Sequence, residues 1–338
     1  MGLFTHAKPK NATEFVHACV EECAHLEDAT RGEEKRAKAI RHLSEYLEHL
    51  KTMLTGDGTT NPDPADVAAI AAKAVEEDFP LHVVKHLADL EFEARKDAVQ
   101  VVAKMMRAEV DGACPVAEWM AGKIPLVRDI LKGYQKPDVA LNLGCIAREL
   151  NRSEKLSALI LECPEFWYFF TYVNDSNFEI ASDAFASLKE FLTRHKALVA
   201  PLLANKYDEF FGHYQKLLTS DNYITRRQSL KLLGELLLDR ANTQAMMHFI
   251  TTPENLIQMM TLLKDSSKSI QFEAFHVFKV FVANPNKPAA IIEILAGNKP
   301  KLLNYLQEFH NDKEDEQFKE EKEVLIKCIE GLGLPPAQ

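Results

Sequence analysis

The sequence predicts an all-α fold, an armadillo/HEAT-like right-handed α-solenoid of helical repeats. Two observations carry this reading. First, five phrases fall into one register when aligned on a small residue: Ala98 in FEARKDAVQVVAKMM, Gly144 in PDVALNLGCIAREL, Ala184 in FEIASDAFASLKEFL, Ser229 in YITRRQSLKLLGELL and Ala274 in IQFEAFHVFKVFV. The anchors lie 46, 40, 45 and 45 residues apart, the period of repeats built from two or three helices. Second, strand signals are scarce. Gly totals 13 in 338 residues, and hairpin dipeptides are few. Val102, Arg148, Leu188, Leu233 and Phe278 stand four past the anchors, and Met105, Asn151, Phe191, Leu236 and Phe281 stand seven past. Apolar residues at these offsets line one face of a helix. The second phrase departs with Arg148 and Asn151 and is the weakest member.

Taken in order, residues 12–27 and 33–54 read as two helices, and GDGTTNPDP (56–64) as a loop. The five phrases are the repeating inner helices. Between them, residues 153–170 (SEKLSALILECPEFWYFF), 207–220 and 253–265 (PENLIQMMTLLKD) are further helices. Pro253 and Glu254 suit a first helical turn, where a missing N–H costs nothing and a negative charge is favoured. In QFEAFHVFKVFVANPNKP (271–288), Ala274, Phe278 and Phe281 form the repeating stripe, widened by Phe275 and Val282. Asn284, Pro285 and Pro288 stop that helix, and His276 and Lys279 are expected on its exposed edge. An acidic helix lies within 311–332. One solenoid domain is expected over 1–338, with differing ends as caps and with 1–11 and 332–338 disordered.

Charge and composition exclude some functions. Net charge is −10 and apolar content 46%, so a large core is available, while non-specific binding to nucleic acid or anionic membrane is disfavoured. No apolar run approaches the length of a membrane span. The six cysteines, Cys19, Cys23, Cys114, Cys145, Cys163 and Cys328, are scattered. They read as reduced thiols, and a cytoplasmic location is expected. Gly2 opens an incomplete acylation pattern, because His6 occupies the place of its Ser or Thr.

Candidate chemistry is thin. HACVEECAH (17–25) holds two His and two Cys, but on one helix His17 and His25 point roughly 120–200° away from Cys19 and Cys23, and zinc needs convergent ligands. HVVKH (82–86) lacks the glutamate of a zinc-protease helix. DGTTNPDPADVA (57–68) has Pro62 and Ala68 where a calcium loop needs Gly and Glu. No phosphate loop, dinucleotide fingerprint or nucleophile elbow is present. No enzyme activity, metal or cofactor is expected.

The informative stretch is DNYITRRQSLKLLGELLLDRAN (221–242). Tyr223, Arg227 and Lys231 recur at i, i+4 and i+8, one exposed stripe, opposite the core stripe of Leu230, Leu233 and Leu237. Arg226 and Arg240 add positive charge. The face is either solvated or a docking surface for an acidic partner, whose carboxylates a guanidinium fork suits. In IQMMTLLK (257–264), Met259 and Met260 are either core or the wall of an adaptable pocket.

The stretches ASDAFASLKEFLTRHK, DNYITRRQSLKLLGELLLDR, PENLIQMM and IQFEAFHVFKVFVANPNKP resemble the Mo-twenty-five (Mo25) family, also called calcium-binding protein thirty-nine. The resemblance is strong from about 132 to 325 and collinear before that. It implies a non-catalytic scaffold that binds sterile-twenty-type kinases or a related pseudokinase, in some cases with an upstream master kinase in a ternary complex. In unicellular relatives it implies roles in polarity and cytokinesis. It further implies a C-terminal pocket for a Trp-Glu-Phe-type peptide, at Arg227, Met260 and Lys301, and a concave kinase-docking face at Tyr223, Arg227, Lys231 and Arg240. Thr243 and Gly297 depart from the family pattern, the first in place of a large aromatic and the second in being less basic. A kinase-independent structural adaptor is the alternative function.

Overall fold

A computed structural model describes residues 9–28, 30–56 and 58–333. Gly2 and its acylation pattern lie outside these residues, as do most of the two ends expected to be disordered. Within those ends, Asn11 caps the first helix, and the Leu332 carbonyl accepts from Lys299 Nζ at 3.0 Å. The described residues contain α-helices and short 3-10 turns and no β-strand, so the fold is the all-α helical-repeat class predicted. The chain divides into two compact units, 1–195 and 196–338.

The first unit begins with α1 (Ala12–Glu27), α2 (Glu33–Thr55), α3 (Pro64–Glu76) and α4 (Phe79–Lys85). It continues through α5 (Phe92–Arg107), α6 (Pro115–Ala121), α7 (Ile124–Leu131) and α8 (Ala140–Leu150). It closes with α9 (Glu154–Glu162), α10 (Phe169–Tyr172) and α11 (Phe178–Thr193). Helices α2, α5, α8 and α11 pack in succession. Their anchors Ala98, Gly144 and Ala184 are buried, because a small side chain lets neighbouring backbones approach. The candidate helix at 153–170 breaks in two. Pro164 lacks the N–H that a continuing helix requires, and residues Pro164–Tyr168 form a 3-10 turn instead.

The irregular second phrase is resolved by a polar network. Arg148 sits half-buried between α8 and α11, and its guanidinium donates to Asp183 Oδ1 (2.9 Å), Asp183 Oδ2 (3.0 Å), Ser187 Oγ (2.7 Å) and Cys145 Sγ (3.2 Å). Tyr134 Oη donates to Asp183 Oδ2 at 2.6 Å. Asn151 is fully buried and donates to the Glu190 carbonyl at 3.0 Å. The register holds, and two of its apolar positions are replaced by groups whose hydrogen bonds cross to the next helix.

The second unit contains α12 (Lys196–Asn205), α13 (Tyr207–Leu218), α14 (Tyr223–Leu238), α15 (Thr243–Thr251) and α16 (Pro253–Leu262). Then follow α17 (Lys268–Ala283), α18 (Ala289–Gly297), α19 (Lys299–Glu308) and α20 (Glu316–Glu330). Helix α17 lies between α14 and α20 and also packs on α16. That explains its apolar density: Ala274, Phe275, Phe278 and Phe281 are fully buried, each phenylalanine contributing about 2–3 kcal/mol by its removal from water. Asn284 ends the helix as its C-cap, just before Pro285. Two side chains differ from expectation. Lys279 donates to Glu321 Oε2 at 2.7 Å, and His276 Nδ1 lies 3.9 Å from the same oxygen. Both are half-buried against α20 rather than on an exposed edge, since α20 covers that side of α17.

A recurring device starts the inner helices. Asn177, Asn222 and Ser267 cap α11, α14 and α17, each side chain accepting from a backbone N–H of the first turn. Two residues upstream, Asp175 Oδ1, Ser220 Oγ and Asp265 Oδ1 each accept the cap residue's own N–H, at 2.8, 3.1 and 2.8 Å. Asp315 caps α20 in the same first-turn manner. These caps satisfy donors that a helix start leaves open.

Candidate functional site

Helix α14 presents the predicted stripe. Tyr223, Arg227 and Lys231 are exposed, while Leu230, Leu233 and Leu237 are buried. Ser267 Oγ donates to Tyr223 Oη at 3.4 Å, joining the start of α14 to the cap of α17. Hydrogen bonds from Ser267 and Ser269 hold the Tyr223 phenol below its usual range. Across from the stripe, burial pushes the Glu273 carboxyl up, against the pull of Lys231, Arg227 and Lys313. Arg226 turns elsewhere, donating to the Ser220 carbonyl at 2.7 Å and lying 3.6 Å from Asp265. It braces two loops and is not part of the stripe.

Arg240 lies beyond the far end of α14, in the 3-10 turn Arg240–Asn242. At 1.5 Å per residue it stands roughly 25 Å along the helix from Tyr223. Arg240 is exposed, and its carbonyl accepts from Thr243 Oγ1 at 2.7 Å. Thr243 thus contributes a hydrogen bond at the start of α15. Gly297 is exposed, and a Cβ there would meet nothing within 4 Å.

A separate cavity is lined by Met260, Leu263, Lys264, Asn298, Lys301, Leu302 and Tyr305, from α16, α19 and the short links beside them. The structure therefore brings Met260 and Lys301 together, whereas Arg227 is not among the lining residues. Met259 is fully buried and is core, while Met260 is half-buried on the wall. The phenol of Tyr305 donates to the Leu263 carbonyl and is pushed up to about 12 by burial. The lining combines the apolar Met260, Leu263 and Leu302 with two lysines, Lys264 and Lys301. The free space is about 30 Å³, and an apolar lining beside lysines is the chemistry that suits an aromatic group next to a carboxylate. Sequence reasoning missed Tyr305, although its spacing of four from Lys301 places both on one face of α19.

The other sequence candidates are occupied structurally. Cys19 and Cys23 are buried in the core. His17 pairs with Glu77 (2.9 Å), His42 with Glu22 (2.7 Å) and His86 with Asp89 (2.8 Å). Asp63 caps α3 through Ala65 N. Among the described residues, no group of three or more His, Cys, Asp or Glu is arranged to hold a metal ion, and no helix is long and apolar enough to cross a membrane.

Stacked helices with an exposed cationic stripe and a rimmed apolar cavity define a helical-repeat protein of the protein-binding scaffold class. The Mo25-like family model matches residues 2–333, and the chain belongs to that family. It is 44% identical over 333 residues to calcium-binding protein 39-like of Mus musculus, covering 98% of each chain. It is 40% identical to the Mo25-like protein of Schizosaccharomyces pombe, covering 98% of this chain and 100% of that protein. Against the degreening-related gene dee76 protein of Auxenochlorella protothecoides, identity is 48% over 298 residues, covering 88% and 93%. A designed armadillo repeat protein overlays 80% of this chain and all of its own, at 12% identity and a TM-score of 0.44, a likeness too loose to bear on function.

Proposed function

We propose that this protein is a non-catalytic scaffold that binds and activates sterile-twenty-type kinases or a related pseudokinase. The observation that carries the reading is the cavity at Met260 and Lys301, found in the same unit as the Tyr223–Arg227–Lys231 stripe and in a chain that belongs to the Mo25-like family. The cavity accepts the aromatic end of a Trp-Glu-Phe-type tail, with Lys301 beside its carboxylate. The face of α14, with Arg240 at its far end, receives the kinase lobe. Binding the active arrangement of the kinase better than the inactive one shifts its population by the affinity difference. The tail contact raises the effective concentration of the lobe.

Calorimetric titration of a peptide ending in Trp-Glu-Phe tests the pocket. Met260→Ala and Lys301→Ala are each expected to weaken binding about tenfold or more, or roughly 1.4 kcal/mol. Unchanged affinity in both overturns the assignment. Kinase activation is tested separately with the full chain: Tyr223→Ala and Lys231→Ala should reduce the stimulated rate while leaving peptide affinity intact.

A further inference from the structure

The cavity at Met260 is smaller than the group assigned to it. Its free space is about 30 Å³. That is room for roughly two water molecules, whereas an apolar cavity of about 150 Å³ takes one benzene ring. An aromatic side chain therefore enters only if part of the lining moves.

The lining residues differ in what holds them. Met260 carries a flexible thioether that repacks readily around a guest. Lys264 and Lys301 are exposed, so moving them adds no buried space. Tyr305 is half-buried on α19, and its phenol donates to the carbonyl of Leu263, the C-cap residue of α16. Both residues line the cavity, so this hydrogen bond ties its α19 wall to its α16 wall. The last carbonyls of a helix have no partner within it, which leaves that of Leu263 open to a side chain. The Tyr305 ring also leans on the buried Phe309, with centroids 5.2 Å apart. Phe309 in turn stacks on Phe275 of α17 at 5.4 Å. The tyrosine is held at its hydroxyl and along its face.

We propose that Tyr305 is the gate of this cavity: its hydroxyl latches the ring to α16 at Leu263, and an aromatic side chain enters only after that hydrogen bond opens and the ring swings aside. Tyr305 thereby sets the size of group the cavity takes, small when latched and aromatic once released. The proposal rests on the reading of the cavity as a peptide pocket and adds the residue that controls entry. The apparent affinity is lowered by the fraction of molecules whose gate stands open. The Leu263 carbonyl freed by the swing becomes an acceptor for an N–H of the incoming chain, so it is not left unpaired.

The test compares wild type with Tyr305→Phe, which removes the hydroxyl and keeps the ring. In stopped-flow titration of the full chain with the Trp-Glu-Phe peptide, Tyr305→Phe should bind about fivefold tighter, the worth of one neutral hydrogen bond. The gain should appear in the association rate and not in dissociation. Loss of a contact that only supports the wall would weaken binding instead. Tyr168→Phe, at an exposed phenol of the first unit, should match wild type. A second readout needs no peptide. Indole is titrated into protein with isotope-labelled methionine methyls, and the Met260 resonance should shift at a severalfold lower indole concentration in Tyr305→Phe than in wild type. Where the peptide binds, equal or weaker binding by Tyr305→Phe overturns the gate and leaves the tail reading standing. Equal indole titrations in the two proteins overturn the gate as well. If the peptide binds neither protein while indole reaches Met260 more readily in Tyr305→Phe, the gate stands and the tail reading falls.

Discussion

Gly144 shows how one residue holds a polar network in place. A Cβ added there would collide with Asp183 Oδ2 and Tyr134 Oη, the two atoms that orient Arg148. Burial pushes the Tyr134 phenol far above its usual range, with Asp183 adding to the effect, so it remains a donor to that carboxylate. Gly144→Ala is expected to destabilise the protein by about 2–4 kcal/mol, because overpacking and a broken buried pair act together. The check is urea denaturation, where the midpoint should fall with little change in slope. Arg148 and Asn151 looked like flaws in the sequence register. The residues were visible, but their partners Asp183, Ser187 and Glu190 lie 35–39 residues away, and periodicity along one helix says nothing about which polar groups a neighbour supplies.

At the scale of an element, α17 carries a pH response. Burial pushes the His276 imidazole below its ordinary 6.5, and Lys279 and Lys313 push the same way, against Glu321 and Asp315. The unfolded chain therefore takes up that proton first. Stability is complete above about pH 6.5 and falls as pH drops through that value toward the lower folded pKa. The urea midpoint should decline between pH 7.5 and 5.5, and His276→Gln should flatten the decline. His310 shifts downward as well, again chiefly by burial, so some slope should remain. The inner face of α17 was legible from Ala274, Phe278 and Phe281, because a helix buried on several sides shows density and period together. Its outer pairing was not, since the place of Glu321 depends on how α20 returns across the helix. The stripe on α14 was equally legible, from three polar residues at helical spacing. The cavity was only half so: Met260 stood out, but its opposite wall at Leu302 and Tyr305 comes from α19, some forty residues on.

Within each of the two units, the inner helices contact one another in the order of the chain: α2, α5, α8 and α11 in the first, and α14, α17 and α20 in the second. Long-range ion pairs follow that order: Lys51 with Asp97 at 2.7 Å, Arg148 with Asp183 at 2.9 Å, and Lys279 with Glu321 at 2.7 Å. Among helices stacked within one unit, stability is nearly a sum of repeat and neighbour terms. Damage should then stay local. Hydrogen exchange of Gly144→Ala should lose protection first in α5, α8 and α11, while α17 retains its own. Uniform loss along the chain would show a cooperative block instead.

The side-chain caps have a consequence for how such a chain can change over time. They stand at residues 177, 222, 267 and 315, so the last interval is longer than the two before it, yet α20 still meets α17 through Phe318. Where each helix starts is decided by the residues at its own threshold and not by counting from the previous one. Insertions and deletions can then collect in the links, where added length costs little, while the core pattern is left unedited. The loop that carries Lys313 is one such lengthened link, and so a place where this lineage can trial new contacts without risk to the fold.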